Sequence, residues 1–380
     1  MPQNVLRLKV LAYVVAILLL AACGSSSAAV RHVPAPSADA SPTASPAETP
    51  SGPPSGTPPP QPSPTPLQVG QYALLVNMAA DTYTVSIVGI DGRVLASAQP
   101  SSPTQVTCGD ASAAVVPLPV STSNTRAYFM DAQGNVNFLA PNGTTGNVYR
   151  LPTGGGVRSM FAVSPDDSLL AAVVVTFSAG GATTKLYMDQ LQQGGSQKLL
   201  FTESGAYTLW PVGWHGAGNL VLAKVPSCTQ GGGAFCCGPL ELHVVDPTSA
   251  VRRFTLGGGQ CVIAGSPSQA GAVCENNPNY TKATVVGWNG GTVQTFPIQT
   301  PTYAYLSPDG SAVALVSNNS TTFVGLKQTL DLNACGWIDT RHVIAGGDVQ
   351  AQARIGDVTT GTIVPVAAQG LCGGTIPNNM

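Results

Sequence analysis

Two segments with nearly the same pattern decide the fold of this 380-residue chain. The first is Val-Ser-Pro-Asp-Asp-Ser-Leu-Leu-Ala at residues 163–171, and the second is Leu-Ser-Pro-Asp-Gly-Ser-Ala-Val-Ala at residues 306–314. In each segment the proline fixes φ at the second position of a tight turn, and the aspartate that follows can hydrogen-bond back to the main chain. The apolar residues after the turn have the composition of a strand. Each segment is therefore predicted to join two adjacent strands.

The two segments resemble the Ser-Pro-Asp-Gly turn of WD40-like and TolB-type β-propellers. In those families the turn links the innermost strand of a blade to the next strand. Asp167 replaces the usual glycine in the first segment. A place in a repeated turn gives the central aspartates a structural role, which we favour over calcium ligation or general acid catalysis. The predicted turn residues are Pro165, Asp166, Pro308, Asp309 and Gly310.

The spacing of these and weaker related phrases predicts the number of blades. They recur at intervals of about 30–50 residues, close to the period of roughly 40–50 residues in propeller blades. The anchors lie near Tyr72, Ser112, Ser164, Trp214, Ser266, Ser307 and Trp337. Seven blades are predicted. The last interval is short for four strands, so a six-bladed ring with an irregular closing segment is an alternative, and a pair of β-sandwiches is another.

Composition places the chain in the all-β class. It contains 43 glycines and 32 prolines, and its β-rich runs alternate with turn residues without a long apolar stripe of helical period. The first unit, residues 73–99, has only three candidate strands. Residues 371–377 are predicted to supply the missing strand and so to close the ring.

Charge excludes one class of partner. Only 9% of the residues are charged, and the formal net charge is −2. Such a chain offers no basic surface that could neutralise phosphates, so we do not expect nucleic acid as a partner.

The N-terminal residues have the pattern of an export signal. Arg7 and Lys9 precede an uncharged apolar run at 10–22, shorter than the roughly 20 residues of a membrane-spanning helix. The run ends in Leu-Ala-Ala-Cys, which resembles the bacterial lipobox and implies a diacylglycerol on Cys23. Residues 1–22 are therefore predicted to be a lipoprotein signal peptide, and the protein to be lipid-anchored at the extracytoplasmic face of the cell membrane. The alternative is an ordinary cleaved signal and a freely secreted protein.

A linker is predicted between the lipid and the folded domain. Residues 23–66 begin with the lipidated cysteine and are otherwise almost entirely Ser, Ala, Pro, Thr and Gly. They lack the apolar periodicity from which a core is built, so a disordered stalk is expected. The propeller is predicted to occupy residues 67–380.

The even number of cysteines after Cys23 predicts disulfides in an exported domain. The eight candidates are Cys108, Cys228, Cys236, Cys237, Cys261, Cys274, Cys335 and Cys372. Cys261 and Cys274 flank a turn between neighbouring strands, and Cys335 with Cys372 would fasten the closing segment. One cysteine of the adjacent pair Cys236 and Cys237 is expected to form a disulfide with Cys228. The other is expected to reach Cys108.

A metal or redox site formed by Cys228, Cys236, Cys237 and His243 is the alternative for part of this set, since thiolates and imidazole suit zinc or copper(I). The spacing of a zinc knuckle is absent, and an oxidising compartment favours disulfides. His243 alternates with apolar neighbours and is more simply an exposed strand histidine. No metal site is predicted.

Aromatic residues offer another candidate surface for a sugar or peptide. They are Trp210, Trp214, Trp288, Trp337, Tyr303 and Tyr305. Trp214 and Trp337 stand at repeat positions, where a role in the core is expected instead.

The sequence contains no catalytic motif that we recognise, whether nucleophile elbow, zinc-binding helix, phosphate loop or dinucleotide fingerprint. No catalytic residue and no cofactor are predicted. The chain is expected to be a binding or scaffolding module for an envelope protein, peptide or glycan, with the Gly/Cys-rich insertion at 227–238 as the candidate binding loop. The alternatives are an extracytoplasmic propeller enzyme (a hydrolase, lyase or quinone-dependent dehydrogenase) and a purely structural envelope protein.

Overall fold

The computed structural model describes residues 71–106, 116–178, 181–191, 197–227, 241–300, 302–317, 319–347, 352–378 and 380. These residues form 28 β-strands and no helix, as expected from their β-branched runs and frequent turn residues. Among them there is accordingly no helix that is long and apolar enough to cross a membrane. The predicted signal peptide, lipidation site and linker lie outside the described residues.

The strands pair into seven antiparallel four-stranded sheets, which we number as blades 1 to 7. Blade 1 contains β1 (Tyr72–Met78), β2 (Tyr83–Gly89), β3 (Val94–Ala98) and β28 (Leu371–Ile376). Blade 2 contains β4 (Val120–Thr122), β5 (Ala127–Met130), β6 (Asn135–Leu139) and β7 (Thr145–Arg150). Blade 3 contains β8 (Val157–Val163), β9 (Leu169–Ser178), β10 (Gly181–Gln190) and β11 (Lys198–Gly205).

The other four blades come next in chain order. Blade 4 contains β12 (Tyr207–His215), β13 (Asn219–Pro226), β14 (Glu241–Val245) and β15 (Arg252–Gly257). Blade 5 contains β16 (Cys261–Ile263), β17 (Ala272–Asn276), β18 (Lys282–Val286) and β19 (Thr292–Pro297). Blade 6 contains β20 (Tyr303–Leu306), β21 (Val313–Ser317), β22 (Ser320–Val324) and β23 (Thr329–Leu330). Blade 7 contains β24 (Gly336–Trp337), β25 (His342–Ala345), β26 (Arg354–Asp357) and β27 (Ile363–Pro365).

The blades pack face to face around a closed ring. In β1, Leu74 joins an apolar cluster with Phe129 of blade 2, whereas the next residue, Leu75, joins a cluster with Ile344 of blade 7. Successive strand residues point to opposite faces of a sheet, so one strand fills two interfaces. Further clusters join blades 2 and 3, blades 3, 4 and 5, blades 5 and 6, and blades 6 and 7. The prediction of a seven-bladed β-propeller is confirmed, and the six-bladed and β-sandwich alternatives are wrong.

The ring closes through the two ends of the folded domain. β28 is hydrogen-bonded to β1 and completes blade 1, which confirms that the last strand supplies what the first unit lacks. A disulfide between Cys335, next to β24, and Cys372 of β28 ties blade 7 to blade 1. The junction of blades 7 and 1, which we call the seam, is therefore stabilised by packing and by a covalent bond. Main-chain pairing of β28 with β1 completes the blade on one side of it.

Both Ser-Pro-Asp segments lie between the innermost and second strands of a blade. The hydroxyl oxygen of Ser164 accepts a hydrogen bond from the Leu169 amide at 2.9 Å, and that of Ser307 accepts one from the Ala312 amide at 3.0 Å. This bond fixes the first residue after each turn. Blade 3 and blade 6 thus begin with the same local structure.

One of the seven anchors differs from the expected pattern. Tyr72 begins the second strand of blade 1, because β28 takes the innermost place. Ser112 lies outside the described residues. In blade 2 the equivalent turn is at Ser123, whose hydroxyl oxygen accepts a hydrogen bond from the Arg126 amide at 3.2 Å. Blade 6 fits into a short interval because its fourth strand, β23, has only two residues.

The alternation of strand direction gives the ring two faces. Loops that connect consecutive blades lie on one face together with the hairpins that join second to third strands. We call this the top face. The turns that join first to second strands and third to fourth strands lie on the bottom face.

Candidate ligand-binding site

A cavity of about 460 Å³ opens at the top face between blades 2 and 3. Its walls come from the loop between blades 1 and 2, the hairpin from β5 to β6, the loop between blades 2 and 3, and the start of β8. The lining consists of residues 103–106, Met130, Ala132 and residues 153–159. Segments far apart in the chain meet here because the ring places their loops side by side.

Arg158, the second residue of the innermost strand β8, lines this cavity. The residue is only 8% exposed. Its Nη1 donates a hydrogen bond to the carbonyl oxygen of Thr104 at 3.3 Å, and its Nε is buried without a hydrogen-bond partner. Within the described part of the chain, no carboxylate forms a salt bridge with its guanidinium. The cavity therefore contains a buried cation for which Thr104 is the one hydrogen-bond acceptor among the described residues.

Burial lowers the pKa of Arg158 because desolvation penalises the charged form. The guanidinium nevertheless stays protonated at neutral pH. A charge taken out of water without a counter-ion carries a penalty of several kcal/mol, by the order of magnitude found for buried ions in proteins. An anionic group bound in the cavity would offset this penalty.

A run of three glycines, Gly154 to Gly156, forms the wall next to Arg158. A side-chain carbon added at Gly154 or Gly155 would meet no atom within 4 Å, so the space beside this loop is open. In the part of the chain that the structure describes, the amides of Gly155 and Gly156 donate no main-chain hydrogen bond. Two further main-chain donors thus belong to residues of the same lining.

A second recess, of about 380 Å³, lies between blades 1 and 2. Its one acidic side chain, Asp131, already accepts hydrogen bonds from the amides of Gln133 and Asn135, both at 2.9 Å. This carboxylate therefore caps the hairpin from β5 to β6. The recess has no buried, unpaired charge like that of the first cavity.

The predicted disulfide residues fall into two groups. Cys261 is bonded to Cys274 within blade 5, and Cys335 is bonded to Cys372 across the seam. The other four candidates are Cys108, Cys228, Cys236 and Cys237, which lie outside the described residues. The candidate binding loop at 227–238 lies outside them as well, except for Ser227.

His243 has partners of its own. Its Nε2 lies 2.8 Å from Oε1 of Glu241 and 3.2 Å from Nη1 of Arg252. The side chain is 15% exposed, so the prediction of an exposed histidine is wrong, because this ion-pair cluster covers the ring. No group of three or more potential metal ligands occurs among the described residues.

The aromatic residues do not share one exposed surface. Trp210, Trp214, Trp337 and Tyr305 are buried in the clusters between blades, as expected for Trp214 and Trp337. Trp288 stacks on His215 with ring centroids 4.2 Å apart, and Tyr303 is 40% exposed. An aromatic platform is therefore not formed by this set.

No protein-family model matches the chain, and no curated protein matches it. Its structure is similar to that of the dihydro-heme d1 dehydrogenase NirN in complex with DHE, with a TM-score of 0.46, 13% identity, and coverage of 83% of this chain and 78% of that one. It is also similar to BamB from Moraxella catarrhalis, with a TM-score of 0.37, 12% identity, and coverage of 80% and 85%. For KlHsv2 with loop 6CD replaced by a Gly-Ser linker, the TM-score is 0.44 and the identity 11%, with coverage of 80% and 94%. All three TM-scores are below 0.5, and the propeller fold is shown by the sheet order of the chain itself.

Arg158 was not among the residues that the sequence motifs singled out. The available signal is local: three glycines at 154–156 are followed by Val157 and then by Arg158, which is the second residue of an apolar strand. Arginine is almost never fully buried unless it is paired. Such a position therefore indicates either a counter-ion elsewhere in the fold or an unfilled site.

Proposed function

We propose that this chain is a lipid-anchored extracytoplasmic β-propeller that acts as a binding module for an envelope protein, peptide or glycan, and that the ligand occupies the cavity between blades 2 and 3. The observation that carries the proposal is the buried guanidinium of Arg158 in an open cavity, because its Nε has no hydrogen-bond partner and it forms no salt bridge with any described residue. Propellers commonly present ligand sites in loops on one face of a rigid ring. The proposed lipid on Cys23 would anchor the chain to the membrane, and the Pro/Ser-rich residues would act as a linker to the folded domain.

Binding is favoured over catalysis by the chemistry of the lining. A hydrolase, lyase or dehydrogenase would need several convergent His, Arg, Asp or Glu side chains. Among the described lining residues, Arg158 is the only member of these four types. A single guanidinium can orient a ligand, but it cannot serve as both acid and base.

The anchoring part of the proposal is tested by metabolic labelling. Cells that express the full chain are grown with labelled palmitate, and the chain is compared with its Cys23→Ser variant. We expect label on the wild-type chain and none on the variant, which should also leave the membrane fraction. Equal labelling of both, or of neither, would overturn the proposed anchor.

The binding part is tested by site-specific photo-crosslinking of the full chain in cells. A photoreactive residue replaces Gln105 at the cavity and, as a matched control, Asn142 in the turn between β6 and β7 on the bottom face. Both positions are exposed. A discrete adduct from position 105 that is absent from position 142 supports the site. Identical adducts, or no adduct from either position, would contradict it.

A further inference from the structure

The cavity between blades 2 and 3 has the features of a site for one particular chemical group. We infer that it binds the C-terminal carboxylate of a peptide segment whose last residue is small and apolar. This inference rests on the proposed function and names the ligand of the same site. It is carried by the charge count of the cavity, the hydrogen-bond donors of its lining and the apolar side chains of its walls.

The charge count favours an anion with one negative charge. Arg158 is the single charged residue among the described residues of the lining. A carboxylate matches one guanidinium, whereas a phosphate group carries roughly 1.5 to 2 negative charges at neutral pH and is usually met by several cations. A carboxylate, with its single negative charge, is therefore the anion that best neutralises the single positive charge of this cavity.

The guanidinium of Arg158 has the donors that a carboxylate needs. Nη1 of Arg158 is engaged by the carbonyl of Thr104, which leaves Nε and Nη2 along one edge of the guanidinium. This edge can donate two parallel hydrogen bonds to the two oxygens of a carboxylate. Because Nε is enclosed in this structure, a change of the side-chain conformation must accompany its pairing. The amides of Gly155 and Gly156 can donate to the outer lone pairs, as main-chain amides do where proteins capture a peptide C-terminus.

The walls favour a peptide end over a uronic acid. Besides its polar atoms, the cavity is lined by the apolar side chains of Pro103, Val106, Met130, Ala132 and Val157. A sugar carboxylate is surrounded by hydroxyl groups, and burying these against apolar carbon would leave their hydrogen bonds unmade. The last residue of a peptide places a side chain directly beside its carboxylate. A small apolar side chain would fill the space between these walls and would bury no polar group without a hydrogen-bond partner.

The test measures binding of defined probes to the full chain in detergent. The probes are acetyl-Ala-Ala-Val as the free acid, the same peptide as its C-terminal amide, glucuronic acid and inorganic phosphate. Affinity is measured by calorimetry, and the Nε–H resonance of Arg158 is followed by nitrogen-15 NMR after assignment through the Arg158→Lys variant. We expect the free acid to bind at least tenfold more tightly than the amide, the sugar acid and phosphate, and to shift that resonance.

Variants separate the guanidinium from general charge effects. Arg158→Met should weaken binding of the free acid at least tenfold, and Arg158→Lys should weaken it less, because a lysine keeps the charge but not the paired donors. Arg93→Met is the matched control, since the Arg93 side chain is 87% exposed. It should bind as the wild type does.

A second pair of variants leaves Arg158 in place in case its replacement prevents folding. Gly155→Glu puts a negative charge into the open space beside the loop, and Gly155→Gln is its neutral counterpart of the same size. The glutamate should abolish binding of the free acid, and the glutamine should reduce it less. Equal effects of the two substitutions would count against an anion site.

The remaining outcomes distinguish this inference from the proposed function. If adducts form at position 105 while the free acid has no advantage over the amide, the binding module stands and the inference about a peptide C-terminus is overturned. Tighter binding of glucuronic acid or phosphate than of the peptide acid overturns it too. If no probe binds and no adduct forms, both proposals fail.

Discussion

The hydroxyl of Tyr128 donates a 2.8 Å hydrogen bond to Oδ1 of Asp167, across the interface between blades 2 and 3. Asp167 occupies the glycine position of the first Ser-Pro-Asp turn and has a φ of 60°, a region that non-glycine residues rarely adopt. Its other oxygen, Oδ2, accepts a 2.5 Å hydrogen bond from the Thr125 hydroxyl and lies 3.6 Å from Nε of Arg126. The substitution of aspartate for glycine thus exchanges an unstrained turn for contacts to the neighbouring blade.

This relationship predicts a measurable coupling between the two residues. Tyr128→Phe should destabilise the wild type by about 1–3 kcal/mol, the usual range for a hydrogen bond to a charged group. Tyr128→Phe should reduce stability much less in an Asp167→Gly background, because that background lacks the acceptor of the hydrogen bond. Urea unfolding of the single and double variants measures the difference. Additive effects would show that the hydrogen bond contributes nothing to the interface.

Glu275 in β17 predicts a dependence of stability on pH. This side chain is buried, its Oε1 accepts a hydrogen bond from the Thr302 amide at 3.1 Å, and burial raises its pKa to about 7 although that hydrogen bond opposes the shift. The folded state holds the proton more tightly than the unfolded state does. Stability is therefore lost as the pH rises from about 4.5 through 7.

Glu275→Gln should remove this loss. The variant should match the wild type near pH 5 and be more stable near pH 8 by about 1–3 kcal/mol, since each unit of pKa difference corresponds to about 1.4 kcal/mol. Denaturant unfolding at the two pH values checks the prediction. Glu203→Gln, at an exposed position of β11, is the matched control and should show no such difference. A stability change that is the same at both pH values would contradict the assignment.

The disulfide across the seam predicts a local effect as well as a global one. Replacing both Cys335 and Cys372 with alanine opens a loop with a sequence separation of 37 residues, which should cost about 3–4 kcal/mol in a chain-entropy account. Hydrogen exchange of the paired strands β1 and β28 should accelerate. The matched control replaces Cys261 and Cys274, which are 13 residues apart within blade 5. That change should destabilise the chain but leave exchange at the seam slow relative to the first variant.

Met380 predicts a compensating pair of substitutions on the bottom face. The amide of Asn378 donates a hydrogen bond to the carbonyl of Ser123, and beyond it Met380 is buried in the cluster of blades 3, 4 and 5. Its terminal methyl fills the space that a side-chain carbon at Gly213 would need. Gly213→Ala should therefore destabilise the wild type by about 1–3 kcal/mol, as overpacking does, and less so with Met380→Ala. Thermal unfolding of the cycle measures this, with Met78→Ala at an exposed site as control. Additive changes would contradict the contact.

Much of the fold could be predicted because its signals are local. The turns at Pro165 and Pro308 combine residue types that few other structures require, and the missing strand of blade 1 can be inferred by counting strands in a ring. The turn at Ser123 was missed because its sequence, Ser-Asn-Thr-Arg, lacks the proline and aspartate of the other two copies. Its hydroxyl makes the same kind of hydrogen bond, but one serine is too common to be a signal.

The cavity could not be predicted because it belongs to no single segment. Thr104, Met130 and Arg158 come from three different parts of the chain, and only the order of the blades brings them together. A sequence pattern shows that Arg158 sits in an apolar strand, but it does not show whether a carboxylate lies opposite it. That information lies in tertiary packing.

The pairing of β28 with β1 has a consequence for how the protein must be made. Until residues 371–376 pair with β1, that strand presents a free main-chain edge to its surroundings, and such an edge is a template for association with other chains. A nascent or prematurely terminated chain that lacks β28 would therefore tend to associate with other chains through β1, even if its later blades had folded. Pairing of β28 is therefore the step that removes this edge.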